Sequence, residues 1–324
     1  MELLIVKLSS LGDVIQTMPV VHDLQLHFPG IHIDWMVEEA FAPLVHRVAG
    51  VRQVFPIAER RWRKSRWSAT TRVERAAFTG ELQQHSYDAV IDFQGLVKSA
   101  LTARLARLKP GGFSATYGNA SEACGYEWPV RLLLKRHFPM PNRIHAVARY
   151  RLLAGLALGY KAEGEAVYSL TRPQAVRQAT VVLAHGTTRA DNEWPEENWV
   201  ALARLLVESG LRIALPQSNP AELALVTRIA QALDGHADIW PRLSLPEVMD
   251  RMALSAGVIG VDSGLSHMAV ALNLPHVQIF SQPRAWRAGP VGHTHQVAVG
   301  GEQAPDVAAV WHAWQGVQTS FKAL

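Results

Sequence analysis

Hydrophobic positions along the chain alternate between short continuous runs and stretches in which they recur at helical spacing. Leu3-Leu4-Ile5-Val6 is a compact apolar run, the pattern of a strand buried on both faces of a parallel sheet. Ser9-Ser10-Leu11-Gly12-Asp13 follows, and from Val14 to about His27 apolar residues return every three or four positions until Pro29-Gly30. Ile31 to Val37 and Val51 to Ile57 read as strands, Ala69 to about Gln84 as a helix, and Ala89-Val90-Ile91 as a strand between Asp88 and Asp92.

The second half repeats the scheme. Thr180 to Ala184, Arg212 to Leu215, Val258 to Val261 and Val277 to Phe280 are predicted strands. Helices are predicted from Pro195, from Pro220 to about Leu233, over Leu245 to Ala256, over Leu265 to Leu272, and from Asp306 to Phe321. Such βα alternation predicts the α/β class with doubly wound parallel sheets. The polar stretch Lys161 to Arg177 divides the two halves, and 324 residues suffice for two cores. We therefore expect domains at 1–165 and 166–305, with 306–324 as a terminal helix.

Composition narrows the picture modestly. An apolar fraction of 48% with 19% charged residues excludes a disordered chain. A single cysteine, Cys124, excludes internal disulfides and multi-cysteine metal sites and fits a reducing compartment. The start of the chain has no pattern of a secretory signal, and no run reaches the ~18 apolar residues of a spanning helix. The net charge of +4 is mild, but Arg60-Arg61-Trp62-Arg63-Lys64-Ser65-Arg66-Trp67 gathers five cations and two indoles without an acid. No nucleic-acid-binding module accompanies that patch.

Three loops carry candidate chemistry, each between a strand's carboxyl end and a helix, where open α/β sheets bind ligands. In Lys7-Leu8-Ser9-Ser10-Leu11-Gly12-Asp13, Gly12 allows a tight turn and Asp13 is either a helix cap or a functional acid. The loop is neither a Walker A sequence nor Gly-x-Gly-x-x-Gly. His185-Gly186-Thr187-Thr188-Arg189 offers hydroxyls, amides and a guanidinium to a phosphate, or is simply a polar loop. Asp262-Ser263-Gly264-Leu265-Ser266-His267 opens a helix whose free amides suit an anion. Asp262 there could bind sugar hydroxyls or cap the helix, and His267 could be structural. A Ser-His-Asp triad lacks its Gly-x-Ser-x-Gly elbow. Glu222, in a first helical turn, either satisfies amides or holds a ribose diol. No carboxylate or histidine spacing suggests a metal site.

Taken in order, these loops resemble glycosyltransferase family 9. The resemblance spans nearly the whole chain and rests on Leu4 to Val14, Val37-Glu38-Glu39, Arg60 to Lys64, Tyr87 to Ser99, Thr187-Thr188-Arg189, Trp194-Pro195-Glu196-Glu197 and Asp262 to His267. The Arg-Arg-Trp-Arg-Lys and Asp-x-Gln-Gly-Leu-x-Lys segments favour its heptosyltransferase I branch. The resemblance implies a GT-B fold, with two Rossmann-like domains facing a central cleft and the final helix packing back on the N-terminal domain. It implies inverting transfer of L-glycero-D-manno-heptose from ADP-heptose to the inner Kdo of Kdo2-lipid A, without a cofactor or tightly held metal.

Carried over by position, Asp13 is the implied general base. Thr187, Thr188, Ser263 and the amides of Gly264 and Leu265 are implied at the pyrophosphate, Glu222 at the ribose and Leu243 at the adenine. Asp262 and His267 fall near the heptose. Ser10, Gly12, Arg60, Arg61, Arg63, Lys64 and Lys98 are implied at the anionic acceptor, with Trp62 or Trp67 at the membrane interface. Asn192 departs from the pattern, because the family usually has lysine there. Arg189 or another cation is expected to compensate. The implied partners are the donor, the acceptor and an anionic inner-membrane surface, with no nucleic acid. The implied state is a monomer, peripheral on the cytoplasmic face in a Gram-negative cell. The competing readings are heptosyltransferase II, a GT-B nucleotide-sugar 2-epimerase, and a sugar-nucleotide or lipid A binding protein without turnover.

Overall fold

The computed structural model describes residues 1–122, 124–173 and 176–322. It divides into two compact units, 1–171 and 172–324. The boundary falls inside the polar stretch expected from the sequence, six residues later than the 165/166 division. Residues 174 and 175 of that stretch lie outside the described residues, as do the last two of the 306–324 segment.

The first unit is built from β1 (Glu2–Val6), α1 (Leu11–Thr17), α2 (Pro19–His27), β2 (His32–Glu38), α3 (Ala42–Val45), β3 (Val51–Ile57), α4 (Glu59–Lys64), α5 (Ala69–Leu82), β4 (Ser86–Asp92), α6 (Val97–Ala103), β5 (Arg107–Tyr117), α7 (Val130–Leu133), β6 (Arg136–Phe138) and α8 (Ala146–Leu158). Its sheet is parallel in the order β3-β2-β1-β4-β5-β6. Leu3 to Val6 are wholly buried, as the unbroken apolar run requires. The helix expected over 14–27 is two helices. Pro19 has no N–H to continue the first ladder and is tolerated only at a helix start, so the chain restarts there.

The second unit comprises β7 (Thr180–Ala184), a 3-10 turn at Ala190–Asn192, α9 (Glu196–Glu208), β8 (Arg212–Leu215), α10 (Pro220–Gln231), β9 (Ala237–Ile239), α11 (Leu245–Ala253), β10 (Gly257–Val261), α12 (Gly264–Ala271), β11 (His276–Phe280), α13 (Ala285–Ala288), β12 (Gln296–Gly300) and α14 (Val307–Lys322). Its six strands are also parallel, in the order β12-β11-β10-β7-β8-β9. Local signals set the helix starts. Asn219 accepts the Glu222 amide at α10, and Ser244 and Glu247 pair at the head of α11.

The last helix packs within the second unit. Val310, Trp314 and Val317 lie on one face of α14, are buried in the second unit's core, and pack with α9 and β11. The apolar stripe is spent on the second sheet.

In both sheets the order of connections reverses beside one strand. β1 lies between β2 and β4, and β7 lies between β8 and β10. Ligand crevices form at the carboxyl ends of strands flanking such switch points. These are the positions of the candidate loops.

Candidate active site

In the first unit, Ser10 caps α1 and Asp13 is its third residue. The Asp13 Oδ2 atom accepts hydrogen bonds from the Ser10 amide (3.0 Å) and hydroxyl (2.8 Å). The Oδ1 atom accepts from the Tyr150 hydroxyl at 2.8 Å and lies 3.9 Å from Lys7 Nζ. So Asp13 is not the cap, and Gly12 is helical rather than at a left-handed turn. Burial pushes the carboxyl up, but the Lys7 charge, the Ser10 donors and the Tyr150 hydroxyl outweigh it and hold it well below the usual carboxylate range. Three donors leave about one of its four lone-pair positions open, and the side chain keeps 30% exposure. A hydroxyl arriving from solvent can therefore reach an ionised acceptor.

Residues not singled out from the sequence hold this arrangement. Lys7 is buried, donates to the Phe93 carbonyl at 3.1 Å and sits 4.8 Å above the Tyr150 ring. Arg149 Cζ is likewise 4.8 Å from that ring centroid. Asp92, wholly buried, accepts from the Gln94 and Gly95 amides and from Ser99, while Gln94 receives the Ser9 amide. Burial pushes Asp92 up to about 6 despite those donors. The β4 loop is thereby pinned beside the β1 loop.

The basic segment divides. Arg61 is committed to Glu39 and Glu74, with four bonds of 2.7–3.2 Å. Trp62 is core, its indole N–H donating to Glu74 at 2.6 Å, and so cannot rest at a membrane interface. Arg60 is exposed and lies over the Phe41 ring. Arg63, Lys64 and Lys98 are exposed and enter none of these pairs, and Trp67 is 80% exposed. A docked anion therefore finds Arg63 and Lys64 available and Arg61 occupied.

In the second unit the loops after β7 and β10 meet. Asn192 is buried, and its amide reaches the Asp262 carbonyl at 3.4 Å. Asp262 Oδ1 accepts from Gln278 at 3.1 Å and lies 3.5 Å from His267 Nε2. Ser263 caps α12, and its buried hydroxyl has no partner. Ser266 donates to the Val261 carbonyl at 2.6 Å, so neither serine is set up as a nucleophile with His267. Gly264 and Leu265 open α12, with their amides free for an anion.

Thr187 accepts the Arg189 amide, and Thr188 is exposed beside it. Glu222 closes the turn before α10 through Ser218, and its other oxygen lies against Gly186, where a Cβ would sit 3.0 Å away. A side chain at 186 would push that carboxylate from the β7 loop. Leu243 is half-buried in the loop after β9, two strands from β7.

The sequence model of glycosyltransferase family 9 (heptosyltransferase) matches residues 75–310. The chain is 39% identical over 310 residues to the lipopolysaccharide heptosyltransferase 1 of Salmonella typhimurium, covering 94% of this chain and 95% of that one. It is 36% identical over 308 residues to the enzyme of that name from Pseudomonas aeruginosa, covering 93% and 84%. Among solved structures, E. coli heptosyltransferase WaaC with ADP superimposes with a TM-score of 0.84 at 35% identity, over 100% of this chain and 99% of that one. Two parallel six-stranded sheets, an acid after the first strand and an anion-suited helix start after the tenth thus coincide with this likeness, and the chain belongs to glycosyltransferase family 9.

Proposed function

We propose that this glycosyltransferase moves L-glycero-D-manno-heptose from ADP-heptose to the inner Kdo of Kdo2-lipid A, with inversion at the anomeric carbon. The observation that carries the reading is Asp13, held ionised and still open to a hydroxyl. Similarity over more than nine-tenths of the chain to lipopolysaccharide heptosyltransferase 1 supports the donor and sugar.

In this reading the second unit holds ADP-heptose. Glu222 takes the ribose diol, and Thr187, Thr188 and the α12 amides take the pyrophosphate. The first unit supplies the base. As the glycosidic bond to ADP lengthens and the anomeric carbon becomes cationic, the attacking hydroxyl becomes acidic enough for a weakly basic carboxylate to accept its proton. Arg63, Lys64 and Lys98 face acceptor carboxylates and phosphates. Trp67, beside these cations, rests at the anionic headgroup layer of the inner membrane's cytoplasmic face. No helix among the described residues is long and apolar enough to cross a membrane. Leaving-group charge is met by amides and cations of the chain, with no resident metal.

The test is ADP release from ADP-heptose with and without Kdo2-lipid A. Release that requires the acceptor is expected. Release or donor isomerisation without it would sink the reading, and a demand for an already heptosylated acceptor would redirect it to heptosyltransferase II.

The same geometry fixes a pH effect. Tyr150 donates to the charged form of Asp13, so Tyr150→Phe must raise that carboxyl's pKa. The wild-type base is already ionised throughout pH 5–8. Its acid limb in kcat/KM should therefore lie below that range, and in Tyr150→Phe the limb should move to higher pH with the neutral plateau nearly kept. An unmoved limb would show that Tyr150 does not tune the base.

A further inference from the structure

The resemblance implies a lysine where this chain has Asn192, and asparagine can donate hydrogen bonds but supplies no charge. The charge lies one residue away. Asp191 receives Arg189 through Nε (2.9 Å) and Nη2 (2.8 Å), and also receives Arg284 through Nη2 at 3.1 Å. Two guanidiniums share one carboxylate, so the cluster keeps a net positive charge. Arg189 spends its fork on Asp191. Arg284 gives one N–H of five and has the rest to offer.

Topology places this cluster. Asp191 follows β7, and Arg284 follows β11. β10 lies between those strands in the sheet. The Asp191–Arg284 pair therefore bridges the carboxyl end of β10, where Asp262, the unpartnered Ser263 hydroxyl and the first amides of α12 lie. Ser281 joins the same two loops by donating to the Glu193 carbonyl at 3.3 Å. Arg284 is 28% exposed, neither buried away from a ligand nor free in solvent.

We infer that Arg284 supplies positive charge to the departing pyrophosphate beside Asn192, which carries none. This rests on the ADP-heptose reading above. Asp191 acts as the positioning residue, holding the guanidinium over the strand end, and a guanidinium there can contact two phosphate oxygens at once.

The test measures ADP and adenosine affinity by calorimetry for the full chain, Arg284→Gln, Arg284→Lys and Asn192→Lys/Arg284→Gln. A charge-assisted contact to phosphate predicts that Arg284→Gln weakens ADP by about ten-fold or more and leaves adenosine unchanged. Arg284→Lys should keep most of the ADP affinity, and Asn192→Lys should return part of what Arg284→Gln loses. Unchanged ADP binding in Arg284→Gln would overturn the inference. So would an equal loss for adenosine, or failure of lysine at both positions to restore affinity. A wild-type chain that binds no ADP would instead overturn the donor reading itself.

Discussion

Asp13→Asn is expected to lower kcat by about 10²–10⁴-fold while ADP affinity stays within about two-fold of wild type. The substitution keeps size and shape, so the start of α1 and the Tyr150 contact can persist, but an amide cannot take a proton from the attacking hydroxyl. Binding should survive because every residue proposed to hold the donor belongs to the second unit. Some stability is lost too. Asp13 is an anion in the first turn of α1, worth about 0.3–1 kcal/mol at a helix N-terminus, which a thermal melt by circular dichroism would register. Its folded-state pKa is depressed, so that contribution is present above the unfolded value near 4 and is lost as pH falls through the folded value. Acceptor-dependent ADP release by Asp13→Asn within ten-fold of wild type would remove Asp13 as the base.

In the proposed reaction an acid of low basicity suits this position. A base must be ionised when the acceptor arrives, and at neutral pH Asp13 is ionised with a wide margin. In that reaction the proton would move only once the sugar carbon had become electron-poor, so strong basicity in the ground state is not needed. Lys7 contributes in two ways. It lowers the carboxyl and, through the Phe93 carbonyl, fixes the β1 loop to the β4 loop.

Much of this was legible in the sequence because its signals are local. Buried parallel strands read as unbroken apolar runs, and Pro195 and Pro220 announce helix starts. The three loops were legible because glycine, hydroxyls and acids cluster at strand ends. Other parts were hidden for physical reasons. Helix α8 is buried on several sides, with Ala146, Val147, Arg149, Tyr150, Leu153 and Ala154 all inaccessible, so it has no clean apolar stripe. Tyr150 reaches Asp13 across 137 residues, a pairing no spacing reveals. Strand β5 carries Pro110-Gly111-Gly112, with Gly111 at φ +80° where its register with β4 slips, which reads as a turn. The pairing of Arg61 was hidden because its acids, Glu39 and Glu74, come from other elements. Arg284 was hidden likewise, since its tie to Asp191 spans 93 residues.

A second large effect is expected in the core beneath the loops after β7 and β10. Trp314 is 2% exposed, in line with Val310 and Val317 on α14. A Cβ added to Gly257, at the head of β10, would lie 2.8 Å from the Trp314 ring, and Gly257 itself has φ +159°. The indole thus packs where β10 begins, the strand that delivers Asp262 and α12. Gln318 on the same helix donates to the Ala256 carbonyl at 3.3 Å, and Trp194 donates to the Pro305 carbonyl just before α14 at 2.8 Å. Trp314→Ala leaves a large void that the sheet cannot fill, and should cost about 3–5 kcal/mol. Native-state hydrogen exchange should locate the loss in the amides of β10, β11 and β12. Because α12 hangs from β10, ADP binding should weaken as temperature rises well before it does in wild type. Unchanged protection in those three strands would show that α14 does not support the second sheet, and the assignment of the final helix to that unit would have to be withdrawn.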